Sequence, residues 1–530
     1  ADIARQCKLH IMDNEMASEL NVLARDMARL ARQNPRTADF TRDLLRRAIK
    51  ELIACFPVYR TYIDSNGELD DADRRYLSWA LAQARRNETE IDPSAFNFLE
   101  QVLTGDLLQR PRSGFSRQSL LRCAMRLQQY SGPVMAKGLE DTAFYRYNRF
   151  IALNEVGGDP DRFGSTVTAF HKANRERAQY WPHAMLATAT HDTKRGEDCR
   201  ARLAALSEYA DEWARQLPVW TRILRGPQSG SEAELRPDRN DEYLLYQLLA
   251  GTWPCELLQL ETPDDERLQA YAERMRQTLQ KSMREARVHT GWSFPNAEYE
   301  DAMTSLIDAA LTGARAVAFF AAFLPFARRL AAAGAHNSVI QTVLKLTAPG
   351  VPDIYNGGEL WDLSMVDPDN RRPVDYALRA AMLDQLDTEL AADRSACMQQ
   401  LWRHWSDGRI KLATMATLLR HRRDVPDLYS EGDYQPLPAT GAHAEELCAF
   451  ARTRGALMMI VAVARGSRRR QQPDFDDDSV LNLPEALQRR QWRELLSGRT
   501  LPATSGPLHA TELFGGLPAA VLVAGAPDGS

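Results

Sequence analysis

The chain lacks the features that would tie it to nucleic acid, to a metal or to an oxidising compartment. Its 66 Lys and Arg are outnumbered by 71 Asp and Glu, giving a formal net charge of -5. No excess of positive charge is available for a phosphate backbone. The one basic cluster, Arg468-Arg469-Arg470, is followed by Asp474, Asp476, Asp477 and Asp478, and reads as a solvated loop. Seven cysteines lie far apart with no CxxC pair, which removes the usual zinc and dithiol motifs and leaves buried, reduced thiols. No basic-then-apolar leader is legible near residue 1, and the cytoplasm is the expected compartment. The most apolar run, residues 316–327, contains Pro325 between Arg315 and Arg328, and is too short to span a bilayer. Gly-Ser linkers and internal repeats are also missing, so the domains are expected to pack directly on one another.

What is there is length and texture. At 530 residues there is room for roughly three units at about 150 residues each. Residues 1–130 read as a helical domain, with Leu44, Leu45, Ala48, Ile49, Leu52 and Ile53 on one apolar face. Residues 131–200 change to short apolar runs ending in Gly, Asp and Thr, which suits barrel strands with functional loops at their ends. Residues 201–335 return to amphipathic helices, 272–288 among them, as a second helical insertion. In 336–424 a helix over 337–346 runs into Pro349-Gly350, after which 351–355 is a candidate strand. Residues 425–530 gain β texture at 448–452, 457–463 and 520–524, with Arg454-Gly455 as a turn. A small antiparallel sandwich is expected there.

The densest chemistry sits in Thr188-Ala189-Thr190-His191-Asp192-Thr193-Lys194-Arg195. Met185 and Leu186 form a strand-like lead-in that delivers a carboxylate to a loop mouth, as α/β barrels present catalytic groups. The bland alternative makes Asp192 a helix N-cap with Thr193 opening the helix. A His-Asp pair also suits a metal phosphohydrolase, but only His183 lies near it and no ligand spacing appears, so no metal and no cofactor is expected.

A second segment, Pro133-Val134-Met135-Ala136-Lys137-Gly138-Leu139-Glu140-Asp141-Thr142, reads as a strand breaking into a polar turn. There Lys137, Glu140 and Asp141 could grip a polyhydroxylated ligand or form a salt bridge at a helix start. After the strand at 351, Tyr355, Asn356, Glu359, Trp361 and Asp362 could form a stacking platform with polar partners. The plain alternative is loop closure, with Glu359 paired to Arg371 or Arg372. Arg60 and Tyr62 could wall a pocket or brace the helical domain. Trp79, Trp213, Trp220, Trp402, Trp405 and Trp492 are read as packing residues.

Together with Phe56-Pro57-Val58-Tyr59-Arg60-Thr61-Tyr62, Asn154-Glu155-Val156-Gly157-Gly158-Asp159-Pro160 and Val366-Asp367-Pro368-Asp369-Asn370-Arg371-Arg372, these segments resemble the maltooligosyl trehalose synthases. That family is a branch of the α-amylase superfamily, glycoside hydrolase family 13. The resemblance implies an α/β fold, the C-terminal part of an amylase-like (β/α)8 barrel with large helical insertions and a small C-terminal β-sandwich. Residues 131–200 would carry strands six and seven, and 351–355 strand eight. It implies intramolecular transglucosylation, turning the reducing-end α-1,4 bond of a maltooligosaccharide into an α,α-1,1 bond. Asp192 would be the carboxylate that stabilises the transition state, with His191 on sugar hydroxyls and Lys194 and Arg195 binding hydroxyls or orienting Asp192. Lys137, Glu140 and Asp141 would lie at reducing-end subsites, and Tyr355, Glu359 and Arg60 would line the pocket.

The chain departs from the family where it matters most. The Arg-x-Asp strand motif of the nucleophile and the Glu ending the next strand are not found, so the chain is expected to lack two of three catalytic carboxylates and to be inactive alone. Its implied partners are a maltooligosaccharide and the N-terminal part of the barrel. Rival readings are a noncatalytic glucan-binding module and a related α-glucan hydrolase or glucanotransferase.

Overall fold

The computed structural model describes residues 2–109, 114–226, 237–263, 265–471, 478–503 and 505–524. Asp474, Asp476 and Asp477 lie outside them. The chain divides into two compact units, Ala1–Arg149 with Lys281–Ala297, and Phe150–Gln280 with Glu298–Ser530.

The first unit is helical. Arg42–Ala54 shows why: Thr41 caps it by accepting Leu44 N–H, and Leu45, Ala48, Ile49, Leu52 and Ile53 are buried at the spacing of one helix face. Asp70, Asp92 and Ser116 cap the helices Asp71–Asn87, Pro93–Leu103 and Arg117–Met135 in the same way. Their apolar faces join those of Ala17–Ala31 and Arg42–Ala54 in one core. Residues 133–142 correct the sequence reading. They are not a strand: Arg117–Met135 carries Pro133 and continues into a π-helix, Ala136–Ala143. The wider turn is tied by Thr142 Oγ1 donating to the Lys137 carbonyl at 2.8 Å. Gly138 serves close approach, since a Cβ there would stand 2.8 Å from Lys8 Cα. Trp79, read as a packing residue, is half exposed.

Among the described residues, all the strands lie in the second unit. β1 (Met185–Leu186) and β2 (Val351–Pro352) form a parallel pair, Met185 beside Val351 and Leu186 beside Pro352. β1 is the only strand in residues 131–200, where two had been expected; Val167–Tyr180 is a helix capped by Thr166. The helix Ala316–Thr347 runs for 32 residues, well beyond the apolar stretch at its start. It is long and apolar enough to cross a membrane, contrary to the reading from sequence, yet 56% of its most apolar window is buried within the fold. Trp220 packs on Phe323 with ring centroids 5.3 Å apart, and Phe319 stacks on Phe323 at 5.1 Å.

The β texture lies where the sequence puts it. β3 (Asp433–Leu437), β4 (Ala439–Thr440), β5 (Leu447–Arg454), β6 (Leu457–Ala464), β7 (Val480–Leu481), β8 (Trp492–Glu494), β9 (Thr500–Leu501), β10 (Leu508–His509) and β11 (Ala519–Ala524) make two antiparallel sheets, ordered β3-β5-β6-β11-β8-β9 and β10-β7-β4. One face of the larger sheet, with Phe450, Met459 and Val461, packs on Val339, Leu386 and Met415. The other, with Ala451, Ile460 and Leu522, packs on Leu481, Leu508 and Phe514. Burial on both faces explains the unbroken apolar run of β6. Arg468, Arg469 and Arg470 form the short helix Ser467–Arg470, not a solvated loop; Arg468 Nη1 donates to the Glu208 carbonyl at 2.6 Å and Arg469 pairs with Glu446 at 2.8 Å. All seven cysteines are free and buried.

Candidate functional site

The parallel pair sets the direction in which chain leaves the strand ends. Val351 N–H donates to the Ala184 carbonyl at 2.9 Å and Asp353 N–H to the Leu186 carbonyl at 3.0 Å, so the segments after β1 and β2 depart side by side. After β1 the chain turns at Thr190: Thr193 Oγ1 accepts Thr190 N–H at 2.6 Å, and Thr190 Oγ1 accepts Asp192 N–H at 3.2 Å. Asp192 is presented with its side chain 53% exposed, while the Lys194 side chain is 4% exposed and holds its ammonium 3.9 Å from the Asp192 carboxylate. His191 is exposed. Arg195 is buried, and its guanidinium donates to the Asn154 carbonyl at 3.0 Å. It therefore braces the loop.

The loop is held from outside as well. Glu155 accepts Lys194 N–H at 2.8 Å and 3.0 Å and Arg195 N–H at 3.3 Å. Asn370 Nδ2 donates to the carbonyls of His191 at 3.0 Å and Thr193 at 3.3 Å. The next helix, Glu197–Ala204, begins only after Gly196. Asp192 is consequently no N-cap, and Thr193 opens no helix. A Cβ on Gly196 would meet the Asp362 carbonyl at 2.4 Å, so that crossing requires glycine.

Beneath the loop is a buried ionic cluster that local sequence did not reveal. Lys411 donates to Glu197 at 2.7 Å, to Asp198 at 2.7 Å and to the Leu360 carbonyl at 3.2 Å. Lys345 donates to Thr188 Oγ1 at 2.7 Å and to Glu197 at 3.1 Å. Burial works to raise the Glu197 carboxyl, but the Lys411 and Lys345 ammoniums outweigh it and hold it well below the usual carboxylate range. Burial raises Asp198 despite Lys411. The cluster pins the start of the loop, through Thr188, to the helix that follows it.

After β2, Tyr355 OH donates to the Asn370 carbonyl at 3.3 Å, which links Tyr355 through Asn370 to the Asp192 loop. Glu359 pairs with Arg379 at 3.2 Å, and not with Arg371 or Arg372, which bind Asp367 and Asp369. The remaining predicted residues belong to the first unit. Lys137 pairs with Asp141 at 2.7 Å across one helical turn, its side chain 59% exposed. Glu140 is buried and takes a hydrogen bond from Tyr59 OH. Arg60 donates Nε to the Thr61 carbonyl at 3.2 Å and lies 4.6 Å from the Tyr62 ring centroid. Glu155 and Asn370 lie in the segments 154–160 and 366–372, where nothing local marks them as supports of the loop; Lys345, Lys411, Glu197 and Asp198 carry no local signal.

No protein-family model matches the chain. A Mycobacterium tuberculosis (strain H37Rv) protein named as a maltooligosyl trehalose synthase is 34% identical over 520 residues, which is 97% of this chain and 57% of that protein. Among solved structures, the maltooligosyltrehalose synthase of Arthrobacter ramosus matches with a TM-score of 0.77 at 31% identity, over 99% of this chain and 58% of that one. A Sulfolobus tokodaii protein described as a hypothetical maltooligosyl trehalose synthase matches with a TM-score of 0.69 at 27% identity, over 99% and 57%. The chain thus spans 57% of the length of the curated relatives it matches.

Proposed function

This chain is a relative of the maltooligosyl trehalose synthases along 97% of its length, and from that premise we propose that it carries part of the machinery for converting the reducing-end α-1,4 bond of a maltooligosaccharide into an α,α-1,1 bond. Such a transfer, with retention at the anomeric carbon, uses a nucleophile and an acid/base, two carboxyls about 5–5.5 Å apart, around an oxocarbenium-like transition state. Asp192 is the third carboxylate, which stabilises the positive charge. His191 meets sugar hydroxyls, Lys194 and Arg195 orient Asp192, and Tyr355 offers a ring face. Lys137, Glu140, Asp141 and Arg60 serve sugar binding within the first unit, where Glu140 accepts a hydrogen bond from Tyr59. Glu359 sets the loop after β2 through Arg379. No water is consumed, so holding the released sugar in place is the main contribution of these residues.

One observation carries the reading: Asp192 is exposed on a loop whose backbone is fixed by Glu155, Asn370 and Thr190. A rigid loop presenting a carboxylate is what electrostatic stabilisation requires. The nucleophilic Asp and acid/base Glu are proposed to lie outside these 530 residues, with the other strands of a (β/α)8 barrel. Two features support this. Among the described residues no further strand joins the parallel pair, and Met185 is 64% and Val351 37% exposed, whereas parallel strands are normally covered within a larger sheet. The curated relatives are also longer than the chain.

The test is incubation with maltohexaose, following reducing ends and free glucose together. The chain alone is expected to change neither. With the remaining barrel strands present, reducing ends should fall without glucose release. Loss of reducing ends by the chain alone would overturn the missing-carboxylate reading, and glucose release or chain shuffling would place the activity among hydrolases or glucanotransferases.

A further inference from the structure

A cleft of about 410 Å³ in the second unit is lined by none of residues 187–196. Its volume lies within the roughly 300–1,000 Å³ of small-molecule sites. Leu360, Trp361 and Leu363 give it apolar lining, and Glu256, Arg274, Arg372 and Ser406 line it with polar groups. The Trp361 indole N–H donates to the Trp405 carbonyl at 2.9 Å, which fixes the plane of the ring.

The polar side is prearranged. Arg274 grips Asp369 with two hydrogen bonds, at 2.6 Å and 2.9 Å. Arg372 donates Nε to the Asp369 carbonyl at 3.1 Å and leaves its two terminal nitrogens uncommitted among the described residues. The Glu256 carboxylate and the Ser406 hydroxyl likewise take part in no hydrogen bond with the described residues. The charges balance: Arg274 and Arg372 face Asp369 and Glu256, and Asp407 is paired with Arg409 at 2.8 Å. Neither a strong anion nor a strong cation is favoured. Apolar lining combined with uncommitted donors and acceptors suits a neutral ring with one apolar face and hydroxyls at its edge.

We propose that this cleft is a second saccharide site, in which a pyranose ring of an α-1,4-glucan lies on Trp361 while its hydroxyls bridge the Arg372 terminal nitrogens and the Glu256 carboxylate. The identity of the sugar rests on the glucan reading above; the location does not. Such a site would hold the chain of the substrate apart from the Asp192 loop.

Amide hydrogen exchange of the whole chain with maltohexaose tests it. Binding should slow exchange at 252–257 and 405–408. Arg372→Ala with Glu256→Ala, both exposed side chains, should weaken the affinity read at those segments by about tenfold, the scale of a lost charged hydrogen bond, and leave any protection at 188–196 unchanged. Trp361→Ala is not the deciding variant, because Trp361 also packs on the core. Unchanged exchange at 252–257 in the native chain at saturating maltohexaose would overturn the proposal, as would full protection in the double variant. Absent protection at 188–196, with protection kept at 252–257, would count against the Asp192 reading and leave this site standing.

Discussion

The carboxylate of Glu155 receives the main-chain N–H of Lys194 at 2.8 Å on one oxygen and 3.0 Å on the other, and so fixes the backbone two residues beyond Asp192. Hydrogen bonds to a charged acceptor contribute about 1.5–3 kcal/mol each when a buried donor would otherwise be orphaned. Glu155→Ala is expected to lower stability by about 2 kcal/mol and to speed amide exchange at Lys194 and Arg195 more than at the distant β6. Uniform acceleration across the chain would show that Glu155 only stabilises the fold and does not position the loop.

Lys411 is the hub of the cluster beneath that loop, with its ammonium within 2.7 Å of both Glu197 and Asp198. Removing one member of a buried ionic group leaves the others uncompensated, at about 3–5 kcal/mol. Lys411→Met should therefore shift the urea midpoint strongly downward. The double change Lys411→Met, Asp198→Asn should recover much of the loss, because Asp198 loses its charge together with its lysine while Glu197 keeps Lys345 at 3.1 Å. A double variant no more stable than Lys411→Met would assign the loss to packing.

His336 gives the fold an acid-sensitive point. Burial pushes its imidazole down to about 4, and its Nε2 lies 2.6 Å from the Ala464 carbonyl, where the neutral ring donates. The unfolded chain binds this proton more readily than the folded one between the ordinary value near 6.5 and 4, so stability is full above about 6.5 and is lost as pH falls through that window, by up to on the order of 3 kcal/mol. Comparing denaturant midpoints at pH 7 and pH 4.5, the native chain should lose more than His336→Gln. Equal losses would locate the acid sensitivity elsewhere.

Much of this architecture is legible locally. The face formed by Leu45, Ala48, Ile49 and Leu52 and the apolar run of β6 announce their elements because one periodicity is helical and the other belongs to a strand covered on both sides. Residues 133–142 read locally as a strand ending in a loop because Pro133 and the charges after it imitate one, whereas Gly138 admits the backbone of Lys8. At the site, the segment around Asp192 stands out, since strand lead-in and polar turn are contiguous. Its supports do not: Glu155 acts across 39 residues, Asn370 across 179 and Lys411 across 214. Spacing rules that look a few residues ahead cannot see contacts that only the tertiary fold creates.

Asp192→Asn separates charge from shape. The side chain is more than half exposed and its nearest cation, the Lys194 ammonium, is 3.9 Å away, so removing the charge should change the denaturant midpoint by no more than about 0.5 kcal/mol, the usual range for surface substitutions. The amide keeps the size and the hydrogen-bonding edge of the carboxylate, and maltohexaose binding should stay within about threefold, less than 1 kcal/mol. A transition state bearing positive charge loses far more than the ground state does, and deleting one preorganised electrostatic group costs roughly 100- to 1,000-fold in turnover. In the full-length enzyme, the variant is therefore expected to bind glucan and to lose mutase turnover by at least that factor. Turnover within tenfold of the native enzyme would remove Asp192 from the chemistry, and a matching fall in binding would make it a ligand contact only.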